Sequence, residues 1–115
     1  MLAPTPVAMY PLRFEPICQY RLWGGRQLTE LLDMPLPGDG PIGEAWLLSD
    51  RADHASRVVN GPLAGRTLTQ LMADAPEALM GSLARRFRRF PLLLKFLDVQ
   101  QMLSCLLYTS DAADE

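Results

Sequence analysis

The sequence has very few of the residues that most often build metal sites and disulfide frameworks. Its 115 residues include two cysteines, Cys18 and Cys105, and one histidine, His54. Two cysteines without a basic, signal-like amino terminus favour a reducing compartment, with the cytoplasm as the default. A zinc site of ordinary histidine and cysteine composition cannot be assembled from so few ligands. We therefore expect His54 to be an exposed loop residue and the chain to hold no metal of its own.

Long apolar runs and a large excess of charge are also missing. No stretch approaches the roughly 20 consecutive apolar residues that a membrane-spanning helix needs. The formal net charge is −2, which gives no overall attraction for nucleic acid or for an anionic membrane. These absences predict a soluble protein with neither nucleic acid nor membrane as a partner.

Glycines and prolines divide the chain into short segments. Residues 1–9 are interrupted by prolines and are expected to be a flexible leader. An extended segment is predicted over residues 10–20, ending at Gly24-Gly25, which we interpret as a turn, as we do Gly38-Asp39-Gly40. Strands are predicted at residues 44–48 and 57–60, and a buried strand within residues 90–99.

Helices are predicted in two places. Residues 27–32 place three leucines on one helical face, and the proline-rich residues 34–42 after them favour a loop. Thr67 with Gln70, and Asp74 with Glu77, match the capping-box pattern, which predicts two short helices between Leu68 and Met80.

The predicted fold class is therefore mostly β with short helices, an α+β arrangement. A closed β-sandwich or barrel usually has about seven or eight strands, and only three or four can be placed here. The pattern therefore looks like an unfinished sandwich or barrel.

Lys95 is the single lysine and lies within an apolar run, Leu92–Leu97. An ammonium group is costly to bury. Strand alternation could point it outward, or it could reach water along its own methylene groups. Alternatively, Lys95 is a functional cation for an anionic ligand.

The segment Arg85–Arg89 places four arginines around Phe87. Such a segment could bind phosphate or RNA. More often, such a pattern forms a solvated charged turn after a helix.

Five strings in order resemble the amino-terminal part of the type I mannose-6-phosphate isomerases. Their order and spacing match from Tyr10 to Ser104. The strings are Leu22-Trp23-Gly24-Gly25, Gly40-Pro41-Ile42-Gly43-Glu44-Ala45-Trp46, Leu48-Ser49-Asp50, Val59-Asn60-Gly61-Pro62-Leu63-Ala64-Gly65 and Phe90-Pro91-Leu92-Leu93-Leu94-Lys95-Phe96-Leu97-Asp98.

The resemblance implies a cupin fold, here an incomplete jelly-roll β-sandwich, and a zinc-dependent enzyme that interconverts mannose 6-phosphate and fructose 6-phosphate. It places Lys95 in the active-site cavity as a catalytic and substrate-binding residue, and it implies that Ser104 contacts the substrate phosphate. A cation at this place would attract the phosphate of the sugar and hydrogen-bond to it. Glu44 and Trp46 match a family signature that residue chemistry alone would explain as structural.

The sequence departs from the family directly after Ser104. The family continues with metal-binding glutamine and histidine residues, which are missing here. Residues 105–115 instead resemble the translation of a transposon end used in preparing sequencing libraries, so we expect them to be a non-native tail. Residues 10–104 would then be part of a cupin isomerase domain, which is expected to be inactive because its metal ligands are missing. The alternatives are a non-catalytic sugar-phosphate-binding or interaction module of cupin origin, and an RNA-contacting fragment.

Overall fold

The computed structural model describes residues 8–101, which form short strands and helices in two compact units. The first unit takes its described residues from Met1–Ile17 and Leu47–Leu94, and the second from Cys18–Trp46 and Lys95–Glu115. In chain order the elements are β1 (Ile17–Gly25), α1 (Leu28–Leu32), β2 (Ile42–Leu48), β3 (Asp50–Arg51), β4 (His54–Ala55), α2 (Leu68–Asp74), α3 (Pro76–Met80), a 3₁₀ helix (Gly81–Arg85) and β5 (Leu94–Leu97).

The second unit is built on a three-stranded sheet in the order β1-β2-β5, with β2 in the centre. Leu28, Ile42 and Ala45 form its core, against which Cys18 and other partly buried residues pack. Cys18 is a free thiol, and burial raises its pKa although Arg26 opposes the shift. Leu28 and Leu32 of the predicted leucine face pack in this core, whereas Leu31 is 59% exposed, so the predicted face is confirmed for two of its three leucines.

One arginine fixes the loop between α1 and β2. The Arg26 guanidinium donates hydrogen bonds to the carbonyls of Pro37, Gly38 and Gly40 at 2.8–3.1 Å. Gly38 adopts a positive φ of 61°, a conformation that glycine tolerates without a steric penalty. The predicted turn at this loop is confirmed.

The first unit contains an antiparallel hairpin, β3 with β4, in which Asp50 pairs with Ala55 and Arg51 with His54. Just outside it, the Ser49 amide donates to Ser56 Oγ, and the Ser56 amide donates to the Ser49 carbonyl, both at 2.8 Å. These two hydrogen bonds satisfy the buried backbone amides of both serines where the hairpin closes. The sequence pattern did not predict this hairpin.

The core of the first unit joins residues far apart in the chain. Val58, Leu63 and Leu71 are buried together, and Tyr10 packs against them. The Tyr10 hydroxyl donates to the Asn60 carbonyl at 2.7 Å and accepts from the Leu63 amide at 2.8 Å. The turn at residues 59–65 is thereby fixed by the segment before β1.

Helix α2 begins with the predicted capping box, because Thr67 Oγ1 accepts from the Gln70 amide and the Gln70 side chain accepts from the Thr67 amide. The second predicted capping box is wrong. Helix α3 begins at Pro76 after Ala75, with no side-chain hydrogen bond at its cap. Proline at the first helical position has no amide, so this helix start has one fewer unpaired donor.

Three strand predictions need correction. Gly24 and Gly25 lie within β1 and are not a turn. Residues 57–60 form only isolated bridges, at Arg57 with Thr67 and at Val58 with Phe14. The strand predicted to be buried within residues 90–99 is the four-residue β5, whose Leu94 is 52% exposed.

Candidate functional site

A buried carboxylate lies on the central strand of the three-stranded sheet. Glu44, in the middle of β2, is only 4% exposed. An ionised carboxylate that leaves water must be paired, or it costs several kcal/mol in free energy of folding. The residues that pair with Glu44 therefore determine the chemistry available at this part of the sheet.

Three side chains surround the Glu44 carboxylate. Trp46 Nε1 donates a hydrogen bond to Oε1 at 2.8 Å, and Arg21 Nε donates to Oε2 at 3.0 Å. Lys95 Nζ lies 3.3 Å from Oε1 and 5.9 Å from the centre of the Trp46 ring. Arg21 belongs to β1 and Lys95 to β5, so the two strands that flank β2 each bring one cation to its carboxylate.

The electrostatics of Glu44 favour the ionised form. Burial alone raises the pKa of its carboxyl group, but the Trp46 hydrogen bond and the charges of Arg21 and Lys95 outweigh burial and hold the pKa below its ordinary value of 4.5. At neutral pH the group is thus one anion with two cations.

A close approach of two strands permits this arrangement. A Cβ added to Gly24 would lie 2.4 Å from Gly43 Cα, and one added to Gly43 would lie 2.5 Å from Arg21 Cβ. These distances are far below van der Waals contact, so both positions require glycine. The glycines therefore bring β1 and its Arg21 within reach of Glu44.

A second buried carboxylate fixes the chain just after Lys95. Asp98 Oδ2 accepts a hydrogen bond from the Gln27 amide at 2.8 Å, at the start of α1. The Asp98 amide donates to the Gly43 carbonyl at 2.8 Å, and the Gln100 amide donates to the Trp23 carbonyl at 2.9 Å. These bonds set the position of β5 and hence the register of Lys95.

The predicted site residues have separate outcomes. The Lys95 side chain is 22% exposed and turned toward Glu44, so it does not point outward into solvent as one interpretation expected. Ser104 and the tail, residues 105–115, lie outside the described residues. His54 lies in strand β4 rather than in a loop, and its hydrogen bond lowers the pKa of Asp53.

Comparison with known proteins decides the family. The family model for phosphomannose isomerase type I, catalytic domain, matches residues 12–112. The chain belongs to the type I phosphomannose isomerase family. Within that family it is 40% identical over 102 residues to the probable mannose-6-phosphate isomerase GmuF of Bacillus subtilis. That match covers 89% of this chain and 31% of GmuF, so the chain spans about a third of the curated relatives' length.

Solved phosphomannose isomerases have the same fold over this segment. A mannose 6-phosphate isomerase from Bacillus subtilis superposes with a TM-score of 0.70 at 34% identity, covering 79% of this chain and 28% of that one. A variant of the Salmonella typhimurium phosphomannose isomerase superposes with a TM-score of 0.68 at 27% identity, covering 81% and 24%. The predicted fold class is confirmed, and the chain is part of a cupin domain.

The described part of this phosphomannose isomerase segment does not fit a zinc ion. Between residues 8 and 101, no group of three or more histidine, cysteine, aspartate or glutamate side chains could hold a metal. Both Glu44 oxygens are already engaged by Trp46 and Arg21. We therefore assign none of the described residues to a metal. In the same range, no helix is long and apolar enough to cross a membrane.

The Glu44 cluster predicts a specific acid sensitivity. Because the folded-state pKa of Glu44 is lowered from its ordinary value of 4.5, its contribution to stability is complete above that ordinary value and is lost as the pH falls through the lower folded value. Unfolding of the chain by urea, followed by tryptophan fluorescence, should show a falling free energy of unfolding as the pH falls below 4.5. Glu44→Gln should reduce this pH dependence. An unchanged pH dependence in that variant would contradict the pairing.

Proposed function

We propose that this chain is part of a zinc-dependent aldose–ketose isomerase that interconverts mannose 6-phosphate and fructose 6-phosphate. The match of the type I catalytic-domain model to residues 12–112 carries the proposal. The named relatives support it, since GmuF is a probable mannose-6-phosphate isomerase. We place the full-length enzyme in the cytoplasm, with phosphorylated sugars as its substrates.

In this proposal Lys95 supplies positive charge to the substrate. Sugar isomerisation through an enediol-type intermediate develops negative charge on the sugar oxygens, and the substrate also carries a phosphate. A cation that is already oriented lowers the energy of such charge without further reorganisation. The ion pair with Glu44 and the Trp46 ring hold the Lys95 ammonium in place, so Glu44 acts as a positioning residue. Ser104 is proposed as a phosphate contact.

We propose that the 115-residue chain is itself inactive and that the metal ligands of the full-length enzyme lie outside the described residues. Exposed apolar side chains on the sheet of the second unit support further packing in a longer protein. On β1 and β5 of this sheet, Tyr20, Leu22 and Phe96 are 39–71% exposed. An apolar patch left exposed on a sheet is a surface that another part of a protein can cover.

A hybrid enzyme tests the proposed function. Residues 10–101 of this chain replace the matching segment of GmuF, and mannose 6-phosphate turnover is measured before and after chelation and with zinc restored. We expect a catalytic efficiency within about tenfold of GmuF, loss of activity on chelation and recovery with zinc. The 115-residue chain alone should show no turnover.

Two results would contradict the proposal. A hybrid with a cooperative thermal transition and no activity would show that this segment does not serve the isomerase reaction. A hybrid that binds mannose 6-phosphate in calorimetry but turns none over would favour the alternative of a sugar-phosphate-binding module. The matched control is unmodified GmuF prepared in the same way.

A further inference from the structure

An open cleft in the first unit lies beside the arginine-rich segment. Its volume is about 490 Å³, and its lining includes Met72, Pro76, Arg85, Arg86, Phe87 and Arg88. Small-molecule sites in proteins commonly have volumes of about 300–1,000 Å³. The cleft thus has the size of a metabolite site and combines cations with apolar side chains.

The four arginines of the segment have two different roles. Arg89 Nη1 donates to the Asp50 carbonyl at 2.7 Å and lies 3.8 Å from its buried carboxylate, so Arg89 ties this segment to β3. Arg85, Arg86 and Arg88 are exposed and line the cleft. Within residues 8–101, no carboxylate forms a salt bridge with any of these three. Their charges are available to an anion.

An aromatic ring is placed beside the cations. The Arg86 guanidinium lies 5.8 Å from the centre of the Phe87 ring, a cation–π distance that restricts its orientation. Phe87 is half-buried, and Met72 beneath the same cleft is 4% exposed. The cleft therefore offers an apolar surface next to three guanidinium groups, which bind phosphate oxygens through paired N–H donors.

We propose that this cleft binds a small phosphorylated ligand, with its phosphate on Arg85, Arg86 and Arg88 and its uncharged part against Phe87 and Met72. Among the described residues, the cleft lining does not include Lys95, so ligand binding there can be tested separately from the role proposed for Lys95.

The surroundings favour a small ligand over RNA. The chain has a net charge of −2, and nonspecific RNA binding depends on an extended basic face. Single-stranded RNA also uses several aromatic platforms for successive bases, whereas the segment offers Phe87 alone. Three guanidinium groups that line one cleft match one phosphate group.

Calorimetry on the 115-residue chain with phenyl phosphate tests the site, with inorganic phosphate and a short single-stranded RNA as further probes. Phenyl phosphate should bind saturably and more tightly than inorganic phosphate, because its ring contacts Phe87. Single substitutions Arg85→Gln, Arg86→Gln and Arg88→Gln should each weaken binding about fivefold or more. Because these side chains are exposed, the far-ultraviolet circular dichroism spectra should not change.

Arg13→Gln is the matched control, since it removes one exposed positive charge elsewhere in the first unit. It should leave the dissociation constant unchanged within about twofold. Absence of saturable phenyl phosphate binding would overturn the proposal, as would equal weakening by the control. Tighter binding of RNA, with steep salt dependence, would overturn it in favour of a nucleic-acid surface.

Discussion

Replacing Lys95 with methionine in the hybrid enzyme should lower the catalytic efficiency with mannose 6-phosphate about 100-fold or more. Methionine keeps most of the side-chain volume but removes the cation 3.3 Å from Glu44 Oε1. Glu44 retains Arg21 and Trp46 as partners, so the free energy of unfolding should fall by only about 1–2 kcal/mol. Steady-state rates and a urea titration of the same preparations separate the two effects.

Arg13→Met is the matched control for Lys95→Met, because it removes an exposed positive charge from the first unit. Its catalytic efficiency should stay within about threefold of the unmodified hybrid. If Lys95→Met lowers stability but leaves the rates normal, Lys95 is a structural ion-pair partner and the active-site assignment is wrong.

Gly24→Ala should destabilise the second unit by about 3 kcal/mol or more. The added Cβ would lie 2.4 Å from both Gly43 Cα and Gly43 N. Both neighbours are backbone atoms, so the clash cannot be relieved by rotating a side chain. β1 and β2 would have to separate, and Arg21 would move away from Glu44.

Tryptophan fluorescence is suited to this test, because both tryptophans, Trp23 and Trp46, lie in the second unit. Gly40→Ala is the matched control, since its added Cβ would lie 3.4 Å from the nearest atom of the Tyr20 ring. The control should change the free energy of unfolding by less than about 1 kcal/mol. A Gly24→Ala protein as stable as this control would show that the two strands do not approach so closely.

Features that depend on neighbouring residues could be predicted from the sequence. Helix α2 and its Thr67–Gln70 capping box follow from a four-residue pattern, and the loop at Gly38 follows from its turn residues. The capping box expected at Asp74 is absent because Asp74 is the last residue of α2, and the cap residue of α3 is Ala75, whose side chain cannot accept a hydrogen bond. A local capping pattern predicts the start of a helix correctly when no neighbouring residue begins the helix instead.

Features that depend on distant residues could not be predicted. Gly24 lies in a strand, where a glycine is needed because the backbone of Gly43, nineteen positions later, occupies the space of a side chain. The strand β5 was expected to bury its leucines, but Lys95 turns inward while Leu94 is exposed. That inversion depends on Glu44 in the adjacent strand, which a linear apolar pattern does not reveal.

The candidate site was predicted in part. Lys95 was singled out as a lysine in an apolar run, and the family resemblance gave it a role that stays a prediction. Arg21 was missed. On β1, Arg21 is half-buried whereas Leu22 is 71% exposed, the same inversion as on β5, and only the structure shows it. Two strands with an inward cation and an outward leucine indicate a buried anion between them.

The central claim is that Glu44 positions Lys95 for catalysis, and a double-mutant cycle in the hybrid enzyme tests it most directly. The catalytic efficiency is measured for Lys95→Met, Glu44→Gln and the two together. We predict that Glu44→Gln alone costs about tenfold and that the double variant is within about threefold of Lys95→Met, because Glu44 acts through Lys95. Losses that multiply in the double variant, or normal rates in Lys95→Met, would contradict the account.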